Sequence, residues 1–229
     1  MRRQVWLRAA GAGLAGALLV SCSQGGHETK PPARTSQPAP HKSTPPPTQA
    51  QVESHRQQLL TQFAKGANAP DSEGLTVAGP GTQKIVFFWS TADRRYCVAT
   101  FASSGLSTSR CRSGVPMGRT PQLHRLYEGD SFSTHGGYGL IVAADRETIL
   151  SATCGGAPVP LRKIRVSAMG GAERTVYVMD FDGWTGGVLK TKVLREDGGR
   201  TVDLPLGVSH ERVPRSDSWH SCGDGSASE

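Results

Sequence analysis

Three side chains in this 229-residue chain are of the types that pass a proton along in nucleophilic catalysis. Ser131 lies in "EGDSFS" (128–133), and Asp217 and His220 lie in "DSWH" (217–220). A serine hydroxyl is a weak nucleophile until a histidine takes its proton, and an aspartate then orients the imidazole. A second set, His210, His220 and Cys222 with Asp217 or Asp224, has the donor types of a metal site. Metal binding needs Cys222 as a thiolate, so oxidation of that cysteine would remove the ligand. The glycine loop "HGGYG" (135–139) has the composition of a backbone oxyanion cradle. No Gly-x-Ser-x-Gly elbow accompanies it, so it is expected simply to lead into the apolar run "YGLIVAAD" (138–145).

The two blocks around Ser131 and His220 resemble the Gly-Asp-Ser and Asp-x-x-His blocks of GDSL-type esterases. That resemblance implies Ser131 as nucleophile, His220 as general base and Asp217 as its orienting partner. It also implies an asparagine oxyanion donor and alternating β and α segments. The only asparagine here, Asn68, stands upstream in a loop, and no such alternation is readable. An oxyanion donor is worth about 10²–10³ in rate. The expectation is therefore no catalytic residue, no metal and no cofactor, with the Ser131–Asp217–His220 esterase kept as the alternative. Proximity of Ser131 and His220 is open on topology: the strands on either side of "DRET" (145–148) could pair as a hairpin, and a link from Cys222 to Cys154 would confine His220 near its end.

The N-terminus sets the expected compartment. Arg2, Arg3 and Arg8 precede an uncharged stretch, residues 9–20, of secretory-signal length and too short to span a bilayer. "Leu19-Val20-Ser21-Cys22" resembles the bacterial lipobox, which implies cleavage before Cys22 and a thioether-linked diacylglycerol on it. Stable anchoring takes two acyl chains, which such a cysteine carries. Export by the general secretory or the twin-arginine route is left open.

Of the formal charge of +7, Arg2, Arg3 and Arg8 supply three, and Lys30, Arg34 and Lys42 against Glu28 supply two more. Residues 52–229 are left with only +2, whereas a nucleic-acid binder concentrates charge on its folded domain. Arg94-Arg95 and Arg110/Arg112/Arg119 read as local clusters on a solvated face.

Five cysteines become four once Cys22 is lipidated. In an exported domain the four should form two disulfides. "YCVATFASSGLSTSRC" (96–111) is balanced about Ser104, with Ser103-Ser104-Gly105 suited to a three-residue hairpin loop. Opposed residues of such a hairpin are close enough to bond, which favours Cys97–Cys111 and leaves Cys154–Cys222.

Residues 22–51 are rich in proline and carry no aliphatic or aromatic group larger than Ala, so they cannot offset ordering entropy and read as a disordered tether. Its reach is roughly 30 Å as a coil and at most about 90 Å extended. Residues 52–66 read as a short helix: Val52, Leu59, Leu60 and Phe63 share a face, Ser54 is a candidate cap and Gly66 a stop. Its polar face is rich in Gln rather than Lys, so it should dock on the domain rather than on a membrane. From about residue 74 short β-rich runs follow, "QKIVFFWS", "YCVATFAS", "YGLIVAAD", "TILSATC", "RKIRVSAM", "RTVYVMDF" and "GVLKTKVLRE", each bounded by turn residues. "QKIVFFWS" is apolar on both sides, as in a strand buried on both faces. Asp180, Asp182 and Asp197 lie at turns.

The fold expected is all-β, an antiparallel β-sandwich over about 74–222, Ig-like or related, behind a signal peptide (1–21), tether (22–51) and helix. Lipobox, tether and β-rich domain together resemble bacterial secreted lipoproteins of no established activity, and "RKIRVSAMGGAERTVYVMDFDGWTGGVLKTKVLREDGG" (162–199) is similar to their Ig-like tails. What this implies is a module anchored to the extracytoplasmic face of the cell membrane, binding without catalysis. Its partners would be the membrane through the lipid, and an envelope or extracellular protein, the wall or a small ligand, with no nucleic acid.

Overall fold

The computed structural model describes residues 45–81, 84–102, 105–114, 118, 120–130, 137–208 and 219–223. Cys22, His27, His41, Arg119, Ser131, His210, Asp217 and Asp224 lie outside them. The first described element is helix α1 (Gln49–Gln62), which starts before the expected Val52 and stops short of Gly66. The cap is Thr48, not Ser54. The Thr48 hydroxyl accepts from the Gln51 N–H at 3.2 Å, and the Gln51 side chain accepts from the Thr48 N–H at 2.8 Å. This reciprocal pairing satisfies two backbone donors at once, which a lone serine one turn later cannot match.

The rest is all-β, built as three four-stranded antiparallel sheets. The first runs β1 (Thr76–Pro80), β2 (Lys84–Ser90), β3 (Tyr96–Ala102), β4 (Gly105–Arg112) in simple order. The second contains β5 (Gln122–Asp130), β6 (Tyr138–Asp145), β9 (Leu161–Met169) and β10 (Ala172–Asp180), in the order β5-β6-β10-β9. The third contains β7 (Thr148–Cys154), β8 (Ala157–Val159), β12 (Val188–Arg195) and β13 (Gly198–Pro205), in the order β13-β12-β7-β8. Two short strands, β11 (Trp184–Gly186) and β14 (Trp219–Ser221), pair in parallel.

The second sheet is the middle layer of the sandwich, and β6 shows how. Side chains alternate across a strand. Leu140, Val142 and Ala144 pack with Ile149, Leu189, Val193 and Leu204 of the third sheet. Ile141 and Ala143 pack the other way, with Val86, Phe88 and Val98 of the first. Every residue of β6 is buried in consequence. The first sheet repeats the logic. Val86 and Phe88 face the middle sheet, while Ile85, Phe87 and Trp89 face α1, where they meet Leu59 and the half-buried Val52, Leu60 and Phe63. The two-faced apolar run of β2 is thus buried on both sides as its composition requires, and the helix is docked on the domain.

One pairing that the sequence left open is decided by the sheet order. β6 and β7 do not form a hairpin across "DRET": β6 already has β5 and β10 on its two edges, so no hydrogen-bonding edge remains for β7. Arg146, at φ 54°, turns the chain out of the middle sheet into the third. The β3–β4 hairpin carries Cys97 opposite Cys111, bonded as a disulfide. Its register slips between Thr100 and Phe101, so Ala102 pairs with Gly105 and the connection is two residues rather than three. A bulge there absorbs the odd residue. Cys154 is bonded to Cys222.

Asp180, expected at an ordinary turn, closes β10 half-buried, and burial pushes its carboxyl up to about 6 against the attraction of Arg162. A carboxyl raised in the folded state keeps its proton there between roughly pH 4 and 6, where the unfolded chain has lost it. Its contribution is therefore fully present at acid pH and lost as pH rises through about 6. Asp180→Asn should flatten the fall in unfolding free energy between those pH values; an unchanged slope in urea titrations would show that Asp180 is not its source.

Candidate functional site

A cleft of about 880 Å³ opens between the first and middle sheets. Its roof is the inner face of β3 and β4, and its floor is β5. Alternation places Tyr96 and Val98 of β3, and Thr108, Arg110 and Arg112 of β4, on the side facing the middle sheet. Tyr96 and Val98 are buried against Leu126 of β5. Thr108, Arg110 and Arg112 are exposed instead, and among the described residues the middle sheet has no strand beyond β5. An inner face that is apolar on one strand and cationic on the next marks where the core stops.

β5 supplies His124, Arg125 and Glu128. Its register slips between Arg125 and Tyr127, which turns Leu126 inward to the core. The Tyr96 hydroxyl donates to the Leu126 carbonyl at 3.3 Å, joining roof to floor. Burial raises the Tyr96 phenol, while Arg112, which hydrogen-bonds it, pulls the other way. Tyr96 therefore remains a neutral donor and Arg112 a cation at the rim.

Glu128 is tied down from three directions. The Tyr138 hydroxyl donates to it at 2.7 Å, the Gly207 N–H at 3.1 Å, and Arg125 Nη1 stands at 3.2 Å. Burial first, then the hydrogen bond and charge of Glu128, hold the Tyr138 phenol far above its usual range, so it donates throughout the physiological interval. A Cβ at Gly207 would meet Glu128 Oε1 at 2.1 Å, so a side chain there would displace the carboxylate. The carboxylate thus serves as a clasp between β5 and the segment after β13. With Glu128 paired to Arg125, the charge left to the open side of the cleft is that of Arg110 and Arg112.

No protein-family model, curated protein or solved structure matches this chain.

Behind the cleft lies a buried ionic cluster. Arg174 and Asp145 are both fully buried, with Arg174 Nη2 3.7 Å from Asp145 Oδ2, and Arg146 Nε is 3.5 Å from Asp145 Oδ1. Arg174 Nη1 donates to the Met169 carbonyl at 2.6 Å. His124 reaches from this cluster to the cleft wall. Burial lowers its pKa, Arg174 adds to the effect and Asp145 opposes it, so the imidazole is neutral at pH 7.

Of the residues of the alternative catalytic set, only His220 is described. It is exposed on β14 opposite Thr185. Ser131 and Asp217 lie outside the described residues. Cys222 is buried and its sulfur is bonded to Cys154, which removes the thiolate from the candidate metal set. Sequence reasoning treated Arg110 and Arg112 as a solvated cluster and did not single out "QLHRLYEGD" (122–130) as a strand. The signal available was Arg at alternate positions of a strand whose hairpin partner is apolar at the opposed positions.

Proposed function

We propose that this chain is a lipid-anchored, extracytoplasmic binding module that holds an anionic ligand in the cleft between β4 and β5. The observation that carries this reading is the exposure of Arg110 and Arg112 on an inward-facing strand surface that lines the cleft. Arginine presents planar, bidentate donors matched to carboxylate and phosphate. The extracytoplasmic side is supported by two disulfides, which suit an oxidising compartment. No helix among the described residues is long and apolar enough to cross a membrane. Anchoring itself rests on the lipobox resemblance at Cys22.

Two measurements test the two halves. A fatty-acid probe in the producing cell should label the wild type and not Cys22→Ala; an unlabelled wild type ends the anchoring reading. For the cleft, the full chain is titrated with polyphosphate and polyglutamate. At least one should bind with a salt-dependent affinity, and Arg110→Ala/Arg112→Ala should weaken it at least about tenfold, since a hydrogen bond to a charged group contributes about 1.5–3 kcal/mol. Both side chains are exposed, so the fold should be unaffected. Binding that is absent, or indifferent to the double substitution, rejects the cleft as the site.

A further inference from the structure

Resting on that reading of the cleft, we propose that the ligand is an extended acidic peptide that adds to β5 as a fifth strand of the middle sheet. Three observations lead there. β5 has one sheet neighbour, β6, among the described residues, so its other edge faces the cleft. The cleft is lined by the unbroken run Leu123–Gly129. A strand seen face-on would contribute alternate residues; a continuous run means the cleft meets β5 along its edge, where backbone donors and acceptors point. Finally, the inner face of β4 lines the cleft opposite that edge. A strand added to β5 would lie against that face.

The chemistry of the occupant follows from what would face it. Thr108, Arg110 and Arg112 point at alternate side chains of an added strand, over a length of about 14 Å. Acidic residues at every second position would each meet a guanidinium, while main-chain bonds to β5 supply affinity that does not depend on side chains. Both requirements together describe an extended peptide with alternating carboxylates. A charged polymer without amides satisfies only the first.

The test separates them. The full chain is titrated with a short capped peptide alternating threonine and glutamate, with a version carrying glutamine for glutamate, and with two N-methylated versions, one methylated at the threonine amides and one at the glutamate amides. In a strand, alternate amides point to opposite edges. Strand addition therefore predicts that one methylated register loses affinity at least about tenfold, because several backbone bonds are blocked at once, while the other binds like the parent. The glutamine version should also bind at least about tenfold more weakly. If both methylated peptides bind as well as the parent, strand addition is wrong and binding in the cleft by charge alone stands. If no peptide binds while polyphosphate does so through Arg110 and Arg112, the occupant is a phosphate polymer. If neither class binds, the arginines only guard an edge against pairing and both readings fall.

Discussion

Arg174→Met should lower the unfolding free energy by about 3–5 kcal/mol, the cost of leaving one member of a buried ion pair without its partner. Arg174 and Asp145 are both fully buried, and Arg146, the other cation near Asp145, keeps 42% of its side chain in solvent. Methionine fills much the same space, so the loss reports charge rather than a cavity. It also removes the donor to the Met169 carbonyl where β9 turns into β10. The double variant Arg174→Met/Asp145→Leu should be more stable than the single one, because no charge is then stranded in the core. The pKa of His124 supplies an independent readout. With Arg174 gone, the residual influence of Asp145 should raise it, which NMR titration of the ring protons would detect. A loss below about 1 kcal/mol, or an unmoved His124, would mean that the pair is screened by water and contributes little.

Replacing both Cys154 and Cys222 by alanine should cost about 4 kcal/mol. The bond closes a loop with a sequence separation of 68, and the chain-entropy model gives that magnitude for a loop of this length. Among the described residues, β14 has three residues and pairs with the three of β11, and the Cys222 N–H donates to the Gly186 carbonyl at 2.8 Å. For a domain of this size the melting midpoint should fall by about 8–16 °C. Removing Cys97 and Cys111 together should cost less, since that loop has a separation of only 14 and its hairpin is already registered by cross-strand pairs. Calorimetry of the two double variants in oxidising buffer checks the order; the reverse order would show that β4, not the tail, depends on its cross-link.

Much of the β architecture could be read directly. Runs such as "QKIVFFWS" and "YGLIVAAD" are apolar at both parities, and only a strand covered on both faces accommodates that without exposing apolar area. The Cys97–Cys111 pairing followed from the balance of residues about Ser104, a local matter of hairpin register. Helix α1 was legible from its apolar face, although its start was misplaced because Thr48 and Gln51 form a cap that the apolar periodicity does not see.

The cleft was not legible, and the reason is physical. β5 carries His124, Arg125 and Glu128 and breaks alternation with a bulge at Leu126, so it lacks the period that identifies a strand. An edge strand beside a cleft has only one face to bury and no second neighbour to satisfy, so its sequence is freed from the pattern that core strands must keep. Arg110 and Arg112 likewise read as ordinary surface charges until the structure places them on the inner face of β4, lining the cleft with β5. Local composition and spacing determined which segments become strands, which hairpin closes on its disulfide, and where the helix docks, because those depend on neighbours along the chain and on how much apolar surface a segment must hide. Which sheet each strand joins, and therefore which polar side chains converge, depends on edges already taken by strands distant in sequence, as when β10 closed the edge of β6 to β7; only the tertiary structure could decide that.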